Sequence, residues 1–76
     1  MLTAGTIGDI VRERRREGGL TQRHVARRAR VSERFVRDLE TGKGTVQLDK
    51  ALAVLAAIGL HVRVETAGAL PFDAMT

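Results

Sequence analysis

The sequence predicts a mainly α-helical domain of four to five helices followed by one C-terminal β-strand. Three observations carry this reading. Glycines at 18–19, 42 and 59 punctuate the chain, and a threonine or serine stands at three of the helix starts they and the spacing suggest, Thr6, Thr21 and Ser32. Apolar residues recur at helical spacing between these marks. After Gly59 the period changes, because Leu60-His-Val-Arg-Val-Glu65 alternates apolar and polar as a half-buried strand does.

Each element has its own signals. Thr6 is the expected N-cap of a first helix over 7–17, with Ile7, Ile10, Val11 and the Arg14 stem inward and Asp9 in the first turn, where the helix dipole favours an acid. Thr21 is the expected cap of a short helix over 22–29. Ser32, the only serine, is the expected cap of a third over 33–41, in which Val36 and Leu39 share a face. The fourth helix is expected over 48–58, with Leu48, Ala51, Leu52, Leu55 and Ile58 as its buried stripe. Residues 1–66 form one domain, and 67–76, broken at Pro71, form a short tail expected to fray.

Composition narrows the function. Seventy-six residues make one small domain, which buries only roughly 60% of its unfolded surface. Cysteine is absent, so neither disulfides nor thiolate metal sites can support it, and oligomerisation is the remaining route. No metal or other cofactor is expected. A catalytic centre lacks its parts: there is no cysteine, the one serine caps a helix, and no carboxylates pair in an apolar setting. Gly42-Lys-Gly-Thr follows a helix rather than a strand and so does not read as a phosphate-binding loop. His24 and His61 read as surface histidines. No apolar run is long enough to span a bilayer and the N-terminus lacks a signal-peptide pattern, so a cytoplasmic protein without a membrane partner is expected. Net charge is +4, but residues 12–43 alone carry +6 and residues 44–76 carry −1. A field this one-sided points to a polyanion. Charge alone also fits a solvated arginine-rich surface.

Residues 21–40 read TQRHVARRARVSERFVRDLE. Two short capped helices with three or four residues between them have the geometry of a helix-turn-helix. Val25, Ala26, Ala29, Val31, Val36 and Leu39 would fix the pair, leaving the outer face of the second helix free for a major groove about 12 Å wide.

Ile7-Gly8, Arg15, Gly19-Leu20-Thr21-Gln22, Val25-Ala26, Val31-Ser32, Val36, Leu39-Glu40 and Gly42-Lys43 together resemble the phage-repressor or XRE-type helix-turn-helix family over about residues 6–60. Within that family, Leu48 to Glu65 is most similar to HipB-type antitoxins. The resemblance implies a sequence-specific transcriptional repressor and not an enzyme. It implies a homodimer on the inverted-repeat operator of double-stranded DNA. It further implies an antitoxin that represses its own operon and restrains a HipA-like kinase toxin. The alternative is a stand-alone phage or restriction-modification type repressor with no toxin partner; a protein-binding module that never touches DNA fits the basic face poorly.

By the same resemblance, Ser32, Glu33, Arg34 and Arg37 stand where relatives touch base edges. Arg34 is the foremost, because arginine binds guanine bidentately. Asp38 would orient Arg34 one turn back. Phe35 packs at the core edge or on a thymine methyl. Gln22, Arg23, Arg27, Lys43 and Thr45 are the expected phosphate contacts, and Gln47 adds to them. Arg15 and Glu40 match a paired, partly buried salt bridge between the first and third helices, whereas Arg12, Arg14 and Arg16 read as solvated. Arg30 stands where the family usually has glycine in the turn, at positive φ. The dimer interface is expected at Leu55, Ile58, Leu60, Val62 and Val64, the strand pairing antiparallel with its twin because the chain has no second strand to offer.

Overall fold

The computed structural model describes residues 2–69. Four helices follow one another: α1 Ala4–Glu17, α2 Gln22–Ala29, α3 Glu33–Glu40 and α4 Leu48–Ala57. α3 packs against α1 and α2, and α4 packs against α2. None of the helices is long and apolar enough to cross a membrane.

Local chemistry sets the helix starts. The Thr21 and Ser32 hydroxyls accept the backbone N–H three residues on, His24 at 3.1 Å and Phe35 at 3.0 Å, each satisfying one of the N–H groups a helix start leaves unpaired. α1 departs from the sequence expectation. Thr3, not Thr6, is its cap, accepting from the Thr6 N–H at 3.1 Å. Either threonine could cap, but the Ile7 N–H reaches the Thr3 carbonyl at 3.0 Å, so the helix is already running when it reaches Thr6. Asp9 therefore lies beyond the first turn.

The core consists of Val11, Val25, Ala26, Val36, Leu39, Ala51, Val54, Leu55 and Ile58. Val54 replaces two members of the expected α4 stripe: Leu48 is 72% exposed and Leu52 40%. α4 is rotated so that Ala51, Val54, Leu55 and Ile58 face inward, a stripe of the same period on a different bearing. Ile10 is likewise exposed, because Gly8 and Val11 are the α1 residues turned fully inward.

Two glycines permit this closeness. A β-carbon on Gly8 would collide with the Leu39 carbonyl oxygen and lie 2.8 Å from that of Glu40, so only glycine lets α1 lie against the end of α3. Gly42, at φ 81°, turns the chain out of α3, and a β-carbon there would stand 2.9 Å from the Gly5 Cα.

No strand occurs among the described residues. Residues 61–67 carry no regular secondary structure and are exposed. A strand is defined by a partner, and the described residues of one copy present none. Of the expected tail, residues 70–76 lie outside the described residues.

Candidate nucleic-acid interface

Arg30-Val31-Ser32 joins α2 to α3, which fixes two eight-residue helices at a short turn. On α3, Val36, Leu39 and Glu40 are buried and Phe35 packs at the core edge. The opposite face holds Glu33, Arg34 and Arg37, all exposed, with Arg34 at 80%. Asp38 stands between two cations: Arg34 Nε is 4.0 Å and Lys43 Nζ 3.6 Å from its Oδ2. One carboxylate thus holds an arginine of α3 and the lysine beyond its end on the same side of the domain. Ser32 keeps its hydroxyl proton free for donation, because only its oxygen is engaged, by the Phe35 N–H.

Arg23 and Arg27 are exposed one turn apart on α2, adding two cations to one face of that helix. Thr45 and Gln47 are exposed in the loop before α4, and the Gln47 side chain makes no cap bond to that helix. Gln22 is placed differently from the other sites expected at phosphates. Its amide is half-buried and donates to Glu40 Oε1 at 3.3 Å. Any anion at the start of α2 therefore meets backbone N–H groups first.

Behind this face lies a charged network. Glu40 is 2% exposed. Arg15 grips it bidentately, Nε to Oε2 at 2.6 Å and a second nitrogen to Oε1 at 2.8 Å, and also donates to the Leu20 carbonyl at 3.0 Å. Arg12 donates to the Glu40 carbonyl at 3.4 Å, with its Nε 3.8 Å from Oε1. Among the described residues no buried side-chain nitrogen or oxygen lacks a partner. Burial alone would raise the Glu40 pKa, but the hydrogen bonds from Arg15 and Gln22 and the charges of Arg15 and Arg12 outweigh it, holding the carboxyl below its usual value. The same pairing raises the Arg15 pKa.

Sequence reasoning missed three side chains. Arg12 joins the Glu40 network and Arg14 donates to the Ile58 carbonyl at 3.0 Å, closing the end of α4; both had read as solvated. His24 completes a capping box, its Nδ1 accepting the Thr21 N–H at 3.3 Å. The Thr-x-x-His spacing held that signal, with histidine in the place of the usual Glu or Gln.

A second surface is apolar. Leu2, Ile7, Val46, Leu48, Leu52 and Val62 line a groove beside α4, and a neighbouring groove shares Leu2, Ile7 and Val62 and continues to Ile10. Of the residues expected at a dimer interface, Leu55 and Ile58 are buried in the chain's own core by the bearing of α4, and Leu60 packs against that core after the turn at Gly59, its N–H reaching the Leu55 carbonyl at 2.9 Å. Val62 and Val64 are exposed.

Comparison with known proteins accords with this geometry. The family model described as a helix-turn-helix domain matches residues 6–68. The chain is also similar to a protein of Sinorhizobium fredii (strain NBRC 101917 / NGR234) named uncharacterized HTH-type transcriptional regulator y4mF. The two are 41% identical over 66 residues, which cover 87% of each chain.

Proposed function

We propose, for a chain that belongs to the helix-turn-helix family of DNA-binding transcriptional regulators, that it is a dimeric, sequence-specific repressor and the antitoxin of an operon it controls. The observation that carries the DNA-binding reading is the two-sidedness of α3. One face is locked into the core, while the other presents Glu33, Arg34 and Arg37 to solvent, flanked by Arg23, Arg27 and Lys43. In this reading Ser32, Glu33, Arg34 and Arg37 meet base edges, and Arg23, Arg27, Lys43 and Thr45 meet phosphates. Gln22 contributes through the N-terminus of its helix.

Base and phosphate roles separate by mutation. Arg34→Ala relaxes sequence choice, since a bidentate base contact is worth about 1–3 kcal/mol of discrimination. Arg27→Ala weakens all sequences alike, since phosphate contacts position without specifying. Affinities on a panel of single-base operator variants decide it; uniform losses in both mutants would refute the role given to Arg34.

Self-association is supported by the exposed apolar groove and by Val62 and Val64, which a second copy would cover. Paired with its twin about a two-fold axis, the segment at 60–65 becomes a strand, and two recognition helices come to stand about 34 Å apart, one DNA turn. Proline cannot donate to a strand ladder. Val62→Pro therefore yields monomers in sedimentation and lowers operator affinity about 10²-fold or more, as two linked half-sites become one. A fully dimeric mutant with unchanged affinity would remove the strand from the interface.

The antitoxin role and the kinase-like toxin rest on the resemblance of Leu48 to Glu65. Co-expression tests them: the chain relieves the growth arrest caused by a kinase encoded beside it. A stand-alone repressor binds the same operator and relieves nothing.

A further inference from the structure

Arg30 is the only non-glycine residue at positive φ among the described residues, at φ 58° and ψ 45°. The geometry of the α2 ending demands this conformation. The Arg30 N–H bonds the Arg27 carbonyl at 3.3 Å, and the Val31 N–H reaches back to Ala26 at 3.0 Å, a closure that requires a left-handed residue between them. Glycine takes that conformation freely, whereas a β-carbon makes it strained. Nothing among the described residues compensates. Arg30 is exposed, and its guanidinium takes part in none of the salt bridges among the described residues. A cation does suit a helix C-terminus, but Arg27 and Arg28 already occupy the last turn of α2.

Arg30 also has a particular place. With Arg23 and Arg27 it follows the four- and three-residue spacing of one helix face, and it lies two residues before Ser32, the cap of α3. Strain held at one position, with no internal partner, points outward for its cause. We infer that Arg30 is a phosphate contact beside the start of the recognition helix, and that the turn bears its strain for the sake of that charge. The assignment rests on the DNA-binding reading above.

The test uses the full chain, a mixed-sequence DNA duplex and two variants, Arg30→Gly and Arg30→Lys. Arg30→Gly relieves the turn and raises Tm by about 4 °C. The same change makes the slope of log K on log salt shallower by about 0.9 per copy, about 1.8 for the proposed dimer, so the dimer's affinity deficit is roughly 12-fold larger at about 50 mM than at about 200 mM salt. Arg30→Lys keeps both the slope and the Tm of the wild type. A glycine variant with the wild-type slope overturns the contact and leaves Arg30 as a helix ending only. One that melts no higher overturns the strain. A flat slope in the wild type itself overturns the DNA-binding reading, and this assignment with it.

Discussion

Replacing Arg15 by alanine is expected to destabilise the domain by about 3–5 kcal/mol, the cost of leaving a buried charge without its partner. The figure is large because a 76-residue chain has roughly 4–11 kcal/mol in all, at about 0.05–0.15 kcal/mol per residue. Glu40 would remain buried with only Gln22 and the more distant Arg12 to answer it. Thermal or urea melting reads the loss, and a mutant that melts like the wild type would show that the pair adds nothing. Removing both ends together, Arg15→Met with Glu40→Leu, costs less than Arg15→Ala alone, since no orphaned charge is then left behind. Acid should act through the same carboxylate. Glu40 titrates in the folded state below its ordinary value of 4.5. Its contribution is therefore complete above that value and is lost as pH falls toward the folded pKa. Glu40→Gln melts less steeply with falling pH across that window.

The second large effect is on DNA. In the proposed dimer, and leaving Arg30 aside, Arg23, Arg27 and Lys43 on each of two copies would neutralise about six phosphates, each contributing about −0.9 to the slope of log K on log salt. Affinity for duplex DNA is thus expected to fall about 10³-fold between roughly 50 and 200 mM salt. Titration on the upstream promoter measures it. A flat slope, or no binding, ends the reading of this surface as a nucleic-acid interface.

Much of the architecture was legible because its causes are local. Thr21 and Ser32 act on N–H groups three residues away, and Gly42 turns the chain just past α3, so the starts of α2 and α3 and the end of α3 could be placed closely from residue types alone. The start of α1 was less determined, because Thr3 and Thr6 both suit a cap and only the backbone bond from Ile7 decides between them. The bearing of α4 was ambiguous for a similar reason. Every position from Ala51 to Ile58 is apolar, so the period survives a rotation that exchanges Leu52 for Val54. The network around Glu40 was legible only in part. The Arg15 pair came through family resemblance, while Arg12 and Gln22 reach Glu40 across 28 and 18 residues of chain, and nothing local marks them. Gln22 shows the limit well: a polar residue opening a basic helix gives no sign in sequence of the buried carboxylate that the fold brings to its amide.

The shortness of α2 and α3 carries a consequence of its own. Each has eight residues, and isolated helices below about 12–15 residues are marginal in water. Neither can persist without the shared core, so the face offered to DNA and the folded state itself are one and the same species. Whatever binds that face draws the chain out of its unfolded population by mass action. Bound DNA then acts as a folding cofactor, and the molecules most exposed to cellular proteases are those that have left it.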